Sequence, residues 1–250
     1  MRIAYTNLVD TATAPTALTT DLLYPVANLQ NQRLSKRWRS TAATAQTVIV
    51  DLSAATAINT LGIVGHTFTS AATITVDGNA TDSWGSPTFT TSLTYNAGVI
   101  LNYLASAQTF RYWRFTIDDA SAASGYVEAG RLWLGTYLTI DPSSTLGFTV
   151  TKARSDTVVY GRDRQKYATE GVGWRRFSLS FPRTGGTALT AIQTMYDAVG
   201  NHGSVIFCNF DSDRSYQLVD PCYCSIVGEI GFQHTRSMKF GWSLELEEDR

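Results

Sequence analysis

Charge is scarce in this 250-residue sequence: Asp, Glu, Lys and Arg together make up 16% of it and nearly cancel, to a net −1. Such a chain has no global field to draw it onto nucleic acid or acidic lipid. Cysteine is nearly missing as well. Cys208, Cys222 and Cys224 all lie in the last fifth of the chain, and an odd number does not close a disulfide framework. Cys222 and Cys224 with Cys208 and His202 or His234 are the nearest approach to a zinc set, but paired Cys-x-x-Cys knuckles are missing, so these read as buried, reduced thiols. No apolar run is long enough to span a bilayer, and Met1–Asn7 lacks the apolar core of a signal peptide. Synthesis and assembly in the cytoplasm, without membrane insertion, are expected.

Catalytic signatures are lacking too. There is no Gly-x-Ser-x-Gly, no His-Glu-x-x-His, no phosphate-binding Gly-rich loop, and His66, His202 and His234 stand in unrelated contexts. Asp118-Asp119 and Asp211-x-Asp213 are close carboxylates in polar turns. A glycosidase needs two carboxylates facing across a cleft, whereas turn acids ordinarily cap loops, and that is the reading adopted. Calcium at Asp211 and Asp213 is the alternative, although the rest of a calcium loop is missing. A protein without enzymatic activity, metal or cofactor is expected.

What the chain does have is β pattern. Arg111–Ile117 alternates, with Trp113, Phe115 and Ile117 on one face and Tyr112, Arg114 and Thr116 on the other. Val48, Val50 and Leu52 alternate with Thr47, Ile49 and Asp51. Short strands are also predicted at Arg2–Tyr5, Leu61–Gly65, Thr73–Val76, Phe89–Tyr95, Val99–Tyr103 and Val127–Tyr137, with Asp77-Gly78 read as a turn. Closely spaced strands without a helix indicate a sandwich or jelly roll.

The order of these pieces resembles a discoidin-type, galactose-binding-like domain. The resemblance runs through Ala27-Asn28-Leu29, Arg37-Trp38-Arg39-Ser40, Val48–Ser53, Ile58–Val64, Ile74–Gly78 with Trp84 following, and the Arg-Tyr-Trp-Arg-Phe and Leu-Trp-Leu-Gly strands, covering residues 24–137. Such a fold implies a sandwich that either binds glycan or serves as an inert docking piece. The candidate glycan-binding residues are Trp38, His66, Phe68 and Trp84, aromatic platforms with a polar companion.

Beyond Asp141–Ser144, taken as the boundary, the pattern changes. Trp174–Pro182 alternates, with Phe177, Leu179 and Phe181 on one face. A helix is predicted at about 188–199 from Leu189, Ile192, Tyr196 and Val199, with Thr187 as its N-cap and Gly200 just past its end. Strands follow at Ser204–Phe207, Tyr216–Ile226 and Ser237–Glu247, the last alternating Met238, Phe240, Trp242, Leu244 and Leu246 with polar residues. This order resembles the tail-tube-like domain of tailed-phage distal-tail and minor-tail proteins. The resulting expectation is a mainly β chain: an extended lead-in at 1–23, a galactose-binding-like sandwich at 24–140 and a tail-tube-like split β-barrel with one helix at 141–250. The resemblance implies a structural part of a phage tail tip, in a homo-oligomeric, hexameric ring in the virion. Its partners would be tail tube, hub and fibre proteins and a host surface glycan, with DNA only as passing cargo. A stand-alone carbohydrate-binding module or receptor-binding protein is the alternative. Candidate subunit contacts are Arg162, Arg164, Lys166, Arg175 and Arg176 in a basic segment and Glu245, Glu247 and Glu248 at an acidic terminus, one subunit's cations meeting the next subunit's acids.

Overall fold

A computed structural model describes residues 1–140, 148–208, 221–236 and 239–250. The expected boundary at Asp141–Ser144, the Asp211 and Asp213 pair, the start of the Tyr216–Ile226 strand, and Ser237 and Met238 lie outside the described residues. The chain is mainly β and divides into two compact units. One comprises Arg2–Thr139 with Val205–Tyr223, the other Met1, Ile140–Ser204 and Cys224–Arg250.

The first unit contains β1 (Arg2–Asn7), β2 (Thr16–Ala17), β3 (Trp38–Arg39), β4 (Gln46–Val64), β5 (Thr73–Asn79), β6 (Phe89–Leu93), β7 (Val99–Asp118), β8 (Glu128–Ala129) and β9 (Arg131–Thr139). Two of these are longer than the periodicity suggests, because β4 and β7 each join two predicted strands into one. Their antiparallel ladder is interrupted between Asp51 and Thr56. There Ser53 takes φ 66, its N–H donates to Asp51 Oδ1 at 2.8 Å, and Arg111 holds the same carboxylate through Nε and Nη2 at 2.7 and 2.8 Å. A bulge of this kind bends the pair. β4 pairs with β7 on both sides of the bulge; residues 112–118 of β7 also pair with β5, and residues 60–64 of β4 also pair with β9. Both halves bury side chains in one core that includes Val48, Val50, Trp113, Phe115, Leu61, Ile63, Leu132 and Leu134. The result is the expected sandwich.

One local expectation is corrected. Asp77-Gly78 is not a turn but lies within β5, paired with Arg114 and Trp113 across to β7. Asp77 is buried because Arg114 donates to it from Nε and Nη2, at 3.0 and 2.7 Å, and Thr90 Oγ1 donates at 2.8 Å. Gly78 is required because a Cβ would stand 2.6 Å from the Phe110 ring. The strand expected in the lead-in at Arg2–Tyr5 is β1, which pairs with β9, and β2 pairs with β4.

The second unit contains β10 (Thr149–Arg154), β11 (Thr157–Tyr160), β12 (Lys166–Thr169), β13 (Gly173–Gly185) and α1 (Gly186–Val199). Then come β14 (Ser204–Cys208), β15 (Cys222–Ile226), β16 (Phe232–Arg236) and β17 (Lys239–Glu248), with β14 and β15 divided between the units. The β13–β17 pair is its axis. Phe177↔Leu246 and Leu179↔Leu244 lie in register, Phe181 stacks on Trp242 at 4.1 Å, and Trp242 Nε1 donates to Thr184 Oγ1 at 2.8 Å. The helix buries Ile192, Met195 and Val199, begins two residues early with Gly185 in place of Thr187 as N-cap, and ends at Gly200 with φ 53. A split barrel was expected; among the described residues no barrel closes. β10 pairs only with β13, leaving an open edge.

Val205–Cys208 and Cys222–Tyr223 were expected with the second module but pack with the first. β14 is antiparallel to β1, and Ile206, Cys208 and Tyr223 cover Ala4, Val64, Leu101 and Trp133 on the outer side of the sandwich sheet. Within that unit Arg131, 2% exposed, donates to Asp10 and to the Tyr223 hydroxyl, which in turn donates to the Gln32 carbonyl at 3.1 Å. Asn7 steadies Asp10 through Nδ2 at 2.9 Å. Burial pushes the Asp10 carboxyl above the usual range against the pull of Arg131. Replacing Arg131 by Met is expected to cost about 1–3 kcal/mol, because the partly buried Asp10 carboxylate loses its ion pair. Adding Asp10→Asn should recover much of this loss, which a double-mutant cycle by denaturant unfolding measures.

Candidate functional site

The four candidate glycan residues do not form one site. Trp38 is the clearest correction. Its position in β3, paired with Ala129, places it fully inside the core, where its Nε1 donates to the Thr19 carbonyl at 3.3 Å. Phe68 is likewise buried. It stacks on His66 at 4.7 Å, and Tyr95, which the sequence reading passed over, meets His66 edge-on at 5.8 Å. His66 has no polar atom to spare: Nε2 lies 2.9 Å from the Asn96 carbonyl, which fixes the proton there, and Nδ1 accepts the Phe68 N–H at 3.2 Å. Burial lowers its pKa and so favours the neutral imidazole, which joins two loops.

Trp84 differs. It is half-buried on the loop after β5, its Nε1 donates to Asp82 at 2.6 Å, and the Arg114 guanidinium lies 4.8 Å from its ring centre. Arg114 is held in turn by Asp77. The polar outward face of β5 and β7 thus carries one aromatic ring with an immobilised planar cation over it.

The carboxylate pair of the first unit is also split. Asp119 is buried and not a solvated turn acid: it accepts the Thr69 N–H at 2.7 Å and the Thr69 hydroxyl at 2.6 Å, while Asp118 is exposed. No pair faces across a cleft here. Cys208, Cys222 and Cys224 are buried and form no disulfide, and among the described residues no three His, Cys, Asp or Glu gather to hold a metal.

In the second unit, four of the residues expected to meet between subunits meet within one chain. β13 and β17 place Arg175 against Glu248 at 3.1 Å and Arg176 against Glu247 at 3.1 Å. The antiparallel register Arg176↔Glu247 makes this pairing unavoidable, so these contacts are corrected from inter-subunit to intra-chain. Glu248 also accepts the Arg175 backbone N–H at 2.9 Å. Burial would raise its pKa, but the bonds and charge of Arg175, with Arg250 nearby, outweigh it and hold the carboxylate below the usual range. Its neighbour Asp249 is pushed up by burial and accepts hydrogen bonds from Ser225 at 2.7 Å and Ser204 at 3.1 Å.

Arg162, Arg164 and Lys166 behave otherwise. They are exposed around the turn of the β11–β12 ribbon, and no ion pair among the described residues engages them. Glu245 is exposed on β17 and borders a shallow depression of about 180 Å³, whose lining includes Thr151, Arg176, Phe177 and Val227. The apolar residues of that ribbon escaped the sequence reading, although Thr157-Val158-Val159-Tyr160 is a run of β-branched and aromatic residues of the kind that favours strand.

No protein-family model matches the sequence, and no curated protein matches it. Solved structures do resemble part of it. Chitosan-binding module 1 of a chitosanase/glucanase from Paenibacillus sp. IK-5 is 19% identical over 52% of this chain and 99% of the module, with a TM-score of 0.42. The family 32 carbohydrate-binding module of NanJ from C. perfringens, solved with galactose, is 13% identical over 55% of this chain and the whole module, with a TM-score of 0.43. Likeness at this level assigns neither ligand nor site.

A folded-state pKa below the unfolded one gives stability that is present above the ordinary Glu range and lost as pH falls through the lowered value. Glu248→Gln is therefore expected to remove about 1–3 kcal/mol near neutral pH and to flatten the acid limb of stability against pH, followed by denaturant unfolding across that range.

Proposed function

We propose that this chain is a non-enzymatic structural subunit that assembles with copies of itself into a ring. This is the tail-tip role implied by its resemblance to distal-tail and minor-tail proteins, and the sandwich would serve as its docking module. Tail tube, hub and fibre proteins would be its neighbours in the virion, with DNA passing through.

One observation carries this reading: charge is separated along the chain and only partly neutralised by ion pairs. Residues 148–183 hold eight Lys and Arg against three Asp and Glu, a net of +5, so in a chain of net charge −1 all other residues together carry −6. The ion pairs of Arg154, Arg175 and Arg176 neutralise part of this. Lys152, Arg162, Arg164, Lys166 and Arg183 enter no ion pair among the described residues. A basic region on a chain that is otherwise acidic favours head-to-tail contact, and a head-to-tail contact that closes is a ring.

A second reading, a carbohydrate-binding module, is favoured by Trp84, a partly exposed aromatic ring with the fixed Arg114 guanidinium over one face, in a polar surround of the kind sugars use.

Electron microscopy and mass photometry of the purified full chain separate the two. Closed rings with an axial channel are the expected result. A protein that stays monomeric while binding a glycan array, and loses that binding on Trp84→Ala, would overturn the ring in favour of the second reading.

A further inference from the structure

Nine large apolar side chains stand exposed among the described residues, and four of them, Val158, Val159, Tyr160 and Tyr167, belong to the β11–β12 ribbon. This ribbon forms a two-stranded sheet of its own, paired with no other strand among the described residues, and all eight of its ladder residues are exposed. Its register, Thr157↔Thr169, Val158↔Ala168, Val159↔Tyr167 and Tyr160↔Lys166, assigns the faces. Directly opposed residues share a side, so Val159 and Tyr167 lie on one face and Val158, Ala168 and Tyr160 on the other. A two-stranded hairpin that buries neither face is marginal in water, and this one has apolar residues on both.

The root of the ribbon, unlike its blade, is secured. Arg154 pairs with Asp156 at 3.0 Å and Glu170 at 2.7 Å, the Gly171 N–H donates to Asp156 at 2.7 Å, and the Ser155 N–H donates to the Val172 carbonyl at 3.1 Å. At the far end the turn is closed by Gly161 N–H to the Gln165 carbonyl at 2.9 Å, with Arg164 at φ 60, and it displays Arg162, Arg164 and Lys166 against Asp163 alone. The ribbon is a staked arm with an uncovered apolar blade and a cationic tip.

We infer that this arm docks on a second copy of the chain, which buries the Val159–Tyr167 face while the cationic turn meets carboxylates of that copy. The inference rests on the assembly reading and specifies its contact. Charge complementarity selects the occupant, because the arm lies in the +5 segment and the remainder of an identical chain carries −6. Apolar burial would supply the affinity, and the charges orientation and rate of encounter.

The test uses the full chain, with self-association followed by analytical ultracentrifugation over a range of protein and salt concentrations. The variants are Val159→Asp/Tyr167→Asp and Arg162→Glu/Arg164→Glu. All four positions are solvent-exposed, so the thermal melts of both variants should match wild type. The apolar pair is expected to weaken association by about tenfold or more at every salt concentration, and the charge pair to weaken it at low salt only. Variants that assemble like wild type would overturn the arm contact and leave the ring reading standing. A wild-type chain that stays monomeric would remove both. Arm-dependent flotation of a monomer with anionic vesicles would replace the second copy by a lipid surface.

Discussion

The Arg131 guanidinium, buried among Asp10, Tyr223 and Trp133, is the contact on which the first unit's outer face depends. A cation with 2% exposure is tolerable only if its charge is met by a carboxylate and its terminal nitrogens by acceptors, so the surrounding segments have to arrive in fixed places. Asp10 comes from the turn after β1, and Tyr223 comes from a stretch more than two hundred residues later. That demand explains why Val205–Cys208 and Cys222–Tyr223 lie on the sandwich, where Ile206 and Cys208 shelter Trp133 and Leu101. It also explains why the sandwich needs β1 as a true strand and not a loose leader. Gly135 permits the close approach of β9 to β1, since a Cβ there would collide with the Thr6 carbonyl.

Charge is used in two ways. Where strands force opposite charges together, as at Arg175–Glu248 and Asp51–Arg111, the pairs secure register and bends inside the chain. Where nothing is brought opposite, as at the β11–β12 turn, cations remain beside uncovered apolar side chains. The first kind serves the fold, and the second is available to a partner.

The strands with clear alternation were legible in sequence. Trp113, Phe115 and Ile117, and likewise Phe177, Leu179 and Phe181, are buried as their period of two requires, and helix α1 lies within two residues of its predicted start. Asp77-Gly78 was misread because a turn dipeptide and a strand with a buried Asp look alike until Arg114 is seen across the ladder. The candidate glycan residues failed for a similar reason. Trp38, Phe68 and Trp84 are equally aromatic in sequence, but only Trp84 has a face left toward solvent.

By itself the sequence determined the class, mainly β with a jelly-roll-like first part and one helix in the second, because side-chain periodicity is a local property of the backbone. Its charge layout along the chain is likewise a matter of counting. Tertiary structure alone decided which charges cancel, which aromatics are spent on the core, and that a late segment completes the first unit. Each of these depends on what lies opposite a residue across a ladder, and residues such as Arg131 and Tyr223, ninety-two positions apart, meet only when the chain is folded.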